Sequence, residues 1–261
     1  MTEIGMSQQS DEQRSAFEAE AVRIVGTSSE KGLILRLLGS LAFHIHCPQY
    51  AYLQKQLGRA YTDIDYAGYK AQTAQIGQFF ITSGYSEDAE VNTYFAGERM
   101  IYNQPSSGLH IDVFFDRLNF CHEINWAGRL EVDQPTLPLA ELLLEKMQIV
   151  KINEKDIIDT LMLLLEHPMG DSDIETINLK HISQLCVKDW GLWRTVTMNL
   201  DKVAQMALGY SQLSAEEKAY LAAQVNTALA RINNEPKTIS WKVRAKIGDR
   251  LKWYQDVDEV S

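Results

Sequence analysis

The chain has 261 residues, with 25 Lys and Arg against 35 Asp and Glu and a formal net charge of −10 at pH 7. An apolar fraction of 45% with 23% charged residues suits a folded soluble chain of one large or two small domains, and the acidic balance argues against a broad nonspecific grip on nucleic acid. The longest apolar run, Leu161-Met-Leu-Leu-Leu165, is too short to span a bilayer, the start has no leader-like segment, and the scattered Cys47, Cys121 and Cys186 suit a reducing compartment, so a cytoplasmic chain with no membrane contact is expected.

Residues 1–10 are polar and read as a flexible tail. From Asp11 to Val25 the apolar Phe17, Ala21, Val22 and Ile24 predict an amphipathic helix packed on the domain that succeeds it. Between Gly32 and about Val132, short β-type runs alternate with glycine-containing turns. The spacing predicts strands at 33–38, 62–67, 98–103, 109–115 and 121–126, and helices at 40–46 and 70–83, the latter stopped by Gly84. From Pro138 onward the pattern is helical. Pro at a first turn opens a helix to about Lys151, and Asn153 caps another over 154–166 that closes at Pro168 and Gly170. Further helices are predicted at 178–188, 190–208, 214–233 and 239–255, with Ser214 and Glu217 forming a capping-box signature. The expected class is α+β: a mixed sheet with flanking helices over 11–135, then an all-helical domain over 136–261.

Three features carry chemistry. Gly39-Ser40 ends the run Leu33–Leu38 and turns into the next helix, a step that exposes backbone N–H groups to a phosphate. In Asp63-Ile-Asp65 the strand period of two puts both carboxylates on one face. Asp112, between Ile111 and Val113, repeats the pattern on what should be a nearby strand. Three carboxylates converging at hard-cation distance describe a Mg²⁺ site. Composition alone yields about five acid-x-acid pairs in such a chain. The pair therefore carries little weight alone; the ordered set of strand, Gly-Ser, helix, Asp-x-Asp and third Asp is the rarer coincidence.

Leu37-Leu-Gly-Ser-Leu-Ala42 resembles the glycine-serine step of the nucleotidyltransferase superfamily that includes DNA polymerase β. Arg59-Ala-Tyr-Thr-Asp-Ile-Asp65 resembles its arginine-led D-I-D strand, and His110-Ile-Asp-Val-Phe-Phe-Asp116 its strand with the third carboxylate. Leu137–Gln148 and Glu154-Lys-Asp-Ile-Ile-Asp159 resemble the downstream helical motifs of the abortive-infection toxin branch, so the likeness spans residues 33–165. Two departures stand out. The stretch between Ser40 and Asp63 is longer than members often show, pointing to an inserted loop around Cys47–Arg59, and Lys155 stands where the branch usually has Arg.

The resemblance implies a nucleotidyltransferase-type sheet and Mg²⁺-dependent transfer of a nucleoside monophosphate from a nucleoside triphosphate (NTP) to an acceptor hydroxyl, releasing pyrophosphate. It further implies Asp63 and Asp65 as metal ligands, Asp112 as ligand and base, and Gly39 and Ser40 on the triphosphate. Lys146 would be the triphosphate-contacting lysine; without the resemblance it reads as a solvated or snorkelling side chain. Asp156 stands level between a catalytic acid and an ordinary first-turn acid, and Asp159 is read as the latter. Arg59 either meets a phosphate or locks the loop before Asp63. The implied acceptor is tRNA, another RNA or a protein hydroxyl, and an antitoxin-like protein is the implied partner. Two alternatives stay open: a small-molecule, antibiotic-type nucleotidyltransferase, and a non-catalytic nucleotide-binding or partner-binding module.

Other clusters are weaker. His44-Ile-His46-Cys47 suggests zinc but lacks a second ligand pair. Trp190, Trp193, Trp241 and Trp253 read as core, with base stacking as the alternative. The stretch Lys237–Lys252, with six basic residues against Asp249, is either a solvated helix face or a strip for a phosphate-bearing partner.

Overall fold

The computed structural model describes residues 10–95 and 97–257, so the tail expected over 1–10 lies, apart from Ser10, outside the described residues. In chain order the elements begin with α1 (Asp11–Glu30), β1 (Leu35–Leu38), α2 (Gly39–His46), α3 (Tyr52–Gln56), β2 (Ile64–Gly68) and α4 (Thr73–Thr82). Next come β3 (Ser86–Glu87), α5 (Ala89–Tyr94), β4 (Arg99–Gln104), β5 (Leu109–Phe115), β6 (Arg117–Asn119) and β7 (Glu123–Asn125). The remainder holds α6 (Leu139–Met147), α7 (Glu154–Glu166), β8 (Met169–Gly170), β9 (Ile177–Asn178), α8 (Leu179–Cys186), α9 (Trp190–Ala207), α10 (Ala215–Asn234) and α11 (Ile239–Ile247).

The fold is mixed α/β with a helical C-terminal region. The departures from the sequence reading have local causes. Helix α1 continues past Val25 to Glu30, and the Thr27 and Ser28 hydroxyls in this polar end donate to the Arg23 and Val25 carbonyls. Helix α4 ends as expected: its C-cap is Ser83, and Gly84 follows at φ +88°, a left-handed conformation glycine adopts without a Cβ penalty. Helix α11 stops at Ile247 rather than 255, because the chain breaks into a short 3₁₀ turn at Gly248. The capping boxes at Asn153 and Ser214 both form. Among elements the sequence did not signal, the short α3 and α5 and the two-residue β3 carry too few residues to show a period.

Strands β1-β2-β5-β4-β3 make one mixed sheet. Strand β2 runs antiparallel to β1 and parallel to β5, and β4 runs antiparallel to β5. The expected strand at 121–126 is β7, which pairs with β6 in a separate two-stranded ribbon. Alternation fixes the two faces. Ile64, Tyr66, Ile111, Val113 and Tyr102 are buried on one face, where α4 supplies Ile76, Phe79 and Phe80 and Tyr66 Oη donates to the Ala21 carbonyl of α1. Phe80 and Tyr102 stack with centroids 4.5 Å apart. The opposite face carries Asp63, Asp65, Asp112 and Arg99.

The stretch at the expected 135/136 domain boundary hydrogen-bonds to β1: the Leu37 amide donates to the Pro135 carbonyl, and the Leu137 amide to the Leu37 carbonyl. Helix α6 starts two residues later, which pins its first turn to the sheet edge. One continuous apolar core then runs from Ala21 in α1 through α2, α6 and α7 to Ile232 in α10. No helix among the described residues is long and apolar enough to cross a membrane.

Candidate metal centre

The strand register assembles the carboxylates. Leu38 pairs with Asp65 and Asp65 with Asp112, so the end of β1, the start of β2 and the middle of β5 lie side by side. Adjacent strands are about 4.8 Å apart, and paired residues in parallel strands point to the same side. Asp63 precedes Asp65 by one strand period and joins that side. Carboxylate oxygens of Asp63, Asp65 and Asp112 accordingly lie within 4.8 Å of one another, the one such His/Cys/Asp/Glu group among the described residues. Their oxygens are hard ligands of the kind Mg²⁺ and Ca²⁺ take. The alternative zinc group does not assemble. His44 lies 3.6 Å from Glu18, His46 bonds Thr136 and faces Asp133, and Cys47 is buried, its thiol held protonated by burial.

Gly39 opens α2 at φ +70°, and a Cβ there would stand 2.3 Å from Asp65 Oδ2. A glycine is required on both counts. Its amide, however, is not free: it donates to Glu145 Oε2 at 3.1 Å. Ser40 is buried, and its carbonyl accepts from Gln54 Nε2. The phosphate-cradling turn expected at Gly39-Ser40 is thus closed by a carboxylate from α6, because the β1-bonded segment before α6 brings that helix against the α2 N-terminus.

Lys146 is buried on the same turn of α6, only 6% exposed, which overturns the solvated reading. Its Nζ lies 2.8 Å from Glu145 Oε1 and 3.6 Å from both Asp156 Oδ1 and Asp159 Oδ2, with the Phe43 ring at 5.3 Å. Burial alone would lower its pKa, but Glu145, Asp159 and Asp156 together hold it above the usual lysine range, so it is a permanent cation. Asp156 closes the α7 capping box with Asn153 while facing Lys146.

Asp159, expected to be an ordinary first-turn acid, is fully buried and takes a hydrogen bond from Gln54 Nε2 at 2.9 Å and an ion pair from Arg59 at 3.4 Å. Arg59 is tied to Asp159 and to the Ala60 carbonyl, contacts of the kind a loop lock needs. The stretch suspected of being an inserted loop supplies Gln54, whose Oε1 accepts from Tyr61 Oη at 2.9 Å, so this segment supports the buried cluster.

On the other flank, Arg99 from β4 grips both oxygens of Asp112 at 2.8 and 2.9 Å, and His110 Nε2 lies 3.7 Å away. Burial would raise the Asp112 pKa, but His110 and Arg99 outweigh it and keep the carboxyl ionised. Asp65 shows the reverse. Burial first, then the charges of Asp63, Asp112 and Glu145, push it well above the carboxylate range. Six carboxyl groups (Asp63, Asp65, Asp112, Glu145, Asp156 and Asp159) face three permanent cations (Arg59, Arg99 and Lys146), a crowding of acids that a bound cation would relieve. Arg99 and Gln54 carried no motif signal, and Glu145 lay within the Leu137–Gln148 motif without being singled out; only their neighbours in space reveal them.

The remaining clusters are structural. Trp190, Trp193, Trp241 and Trp253 pack against one another in tilted and edge-to-face pairs, with ring centroids 5.0–6.2 Å apart, and join α9, α11 and the segment after it. The basic stretch is partly consumed within the fold: Lys237 bonds the carbonyls of Ile232, Asn233 and Glu235, and Arg244 lies over Trp190 and bonds the Gly248 and Leu251 carbonyls. No protein-family model matches the chain, and no curated protein matches it in sequence.

Proposed function

We propose that the chain is a Mg²⁺-dependent nucleotidyltransferase that moves a nucleoside monophosphate from an NTP to an acceptor hydroxyl. The observation that carries this reading is the carboxylate triad, with oxygens within 4.8 Å of one another beside a glycine-opened helix and a buried lysine. The donor set fits the ion: three carboxylates suit a hard divalent cation that keeps several waters. Mg²⁺ held by Asp63, Asp65 and Asp112 would neutralise charge that develops on the phosphates.

The protein's own groups supply the rest. Glu145 occupies both the Gly39 amide and the Lys146 ammonium, the two groups an anionic phosphate would use. A triphosphate takes these donors over from Glu145, while Asp156 and Asp159 keep Lys146 in place. Asp112 accepts the acceptor hydroxyl's proton as the new bond to the α-phosphorus forms and the bond to the pyrophosphate oxygen breaks. Arg99 and His110 orient that carboxylate. A cavity of about 470 Å³ lined by Ile149, Lys151, Asn153 and Asp156 gives the nucleotide room on the Lys146 side.

The test is incubation of the full chain with labelled NTPs, Mg²⁺ and total RNA, with Asp63→Asn as the control. Labelled RNA that disappears with Asp63→Asn is the expected result. Labelling that survives the substitution, or no label on RNA or protein, overturns the reading.

A further inference from the structure

Beside the metal centre lies a second cavity, of about 270 Å³, that holds neither the metal ligands nor the nucleotide. Its lining includes Phe95, Phe114 and Phe120, the amide-bearing Asn119 and Gln255, and the guanidinium residues Arg99 and Arg117. Arg99 is shared with the metal centre. It grips Asp112 while its guanidinium carbon sits 5.4 and 5.3 Å from the Phe95 and Phe114 ring centroids. One side chain therefore separates the cavity from the carboxylate assigned to the acceptor's proton. The larger cavity touches Asp156, on the Lys146 side, and the two share Phe120 and the segment Gln255–Val257 as a common wall. That segment is held in place by the Gln255 amide, which donates to the Cys121 carbonyl at 3.0 Å.

We propose that the smaller cavity binds the terminal nucleobase of an RNA acceptor, delivering its ribose hydroxyl to Asp112. The inference rests on the nucleotidyltransferase reading for its position in the reaction, and on the cavity's own chemistry for its ligand. Aromatic faces stack on any base, and amides reach base edges. A phosphate is not the group recognised here, because both guanidinium groups of the lining are already paired, Arg99 with Asp112 and Arg117 with Glu98 and Glu123, and Asp256 adds a further acid. A protein acceptor, which brings no such ring by necessity, is the competing outcome.

The test uses the full chain without NTP or divalent cation, titrated with adenosine, cytidine, guanosine and uridine and with a five-nucleotide RNA ending in a free 3′ hydroxyl. Binding is read by saturation-transfer NMR for the nucleosides and by fluorescence anisotropy for the RNA. Phe95→Ala is expected to weaken both about five-fold or more, the loss of one stacked ring. Tyr94→Ala, on an exposed side chain at the cavity's rim, perturbs the same binding without risk to the core. Lys180→Ala, on an exposed side chain that lines neither cavity, should leave nucleoside binding unchanged. Absence of saturable nucleoside binding, binding indifferent to both aromatic substitutions, or NTP label appearing on protein and not on RNA overturns the proposal. If nucleosides bind through Phe95 but no transfer occurs with any acceptor, the base site stands and the enzymatic reading alone falls.

Discussion

Gly39→Ala offers a sharp test of how the centre is built. Alanine at φ +70° enters the left-handed region, at a cost of about 1–2 kcal/mol. Its Cβ would also lie 2.3 Å from Asp65 Oδ2, so the carboxylate must retreat by about 1 Å to restore ordinary contact. Forcing that side chain off its rotamer adds about 0.5–1.5 kcal/mol. The expected loss is about 2–3 kcal/mol, or roughly 5–10 °C in melting temperature for a chain of this size. The two contributions separate in a double-mutant cycle. In an Asp65→Ala background the clash is gone, and Gly39→Ala should cost only the backbone share, leaving a coupling of about 1 kcal/mol. Urea unfolding of the four proteins in chelator at one pH measures both quantities. A Gly39→Ala loss below about 0.5 kcal/mol, or an equal loss in the two backgrounds, would refute the claim that this glycine exists to admit the Asp65 carboxylate.

Two further outcomes test the framework around the centre. Glu141 is buried, with Arg129 Nη2 and His181 Nε2 each 2.9 Å from its oxygens; burial favours the neutral acid, but those two partners hold its pKa below the ordinary value. Because the folded-state pKa lies below the unfolded one, the stabilisation is present above about pH 4.3 and is lost as pH falls through the folded value. Glu141→Gln should therefore cost about 3–5 kcal/mol near pH 7, and the deficit should shrink on acidification below about pH 4; unfolding curves from pH 3 to 8 that show a constant deficit would count against this ion pair. Asp159→Asn removes one of three carboxylates facing Lys146 and the partner of Arg59, so a loss of about 2–3 kcal/mol is expected, short of a fully broken buried pair because Glu145 and Asp156 remain. A change under about 1 kcal/mol in urea unfolding would return Asp159 to an incidental role.

Much of the site's skeleton was legible in the chain because it is local. The period of two in Asp63-Ile-Asp65 and the apolar neighbours of Asp112 fix which way each carboxylate points once a strand forms. Asn153 and Ser214 announced their helix starts through side chains that reach only three residues ahead. Polar contacts with distant partners were not legible. Asp159 looked like a first-turn acid because its partners, Gln54 and Arg59, lie about a hundred residues earlier. The basic stretch looked continuous, yet Lys237 and Arg244 turn inward onto carbonyls and Trp rings supplied by the folded chain.

By itself, then, the sequence determined the alternation that aligns the carboxylates, the helix caps, and the glycine that must follow β1. Tertiary structure alone decided that β2 and β5 pair in the register that sets Asp65 beside Asp112, that Arg99 grips the third carboxylate, and that Glu145 closes the α2 N-terminus. The reason is physical: periodicity and capping are set by torsions and hydrogen bonds within a few residues, whereas ion pairing depends on which charges the packed core brings within about 4 Å.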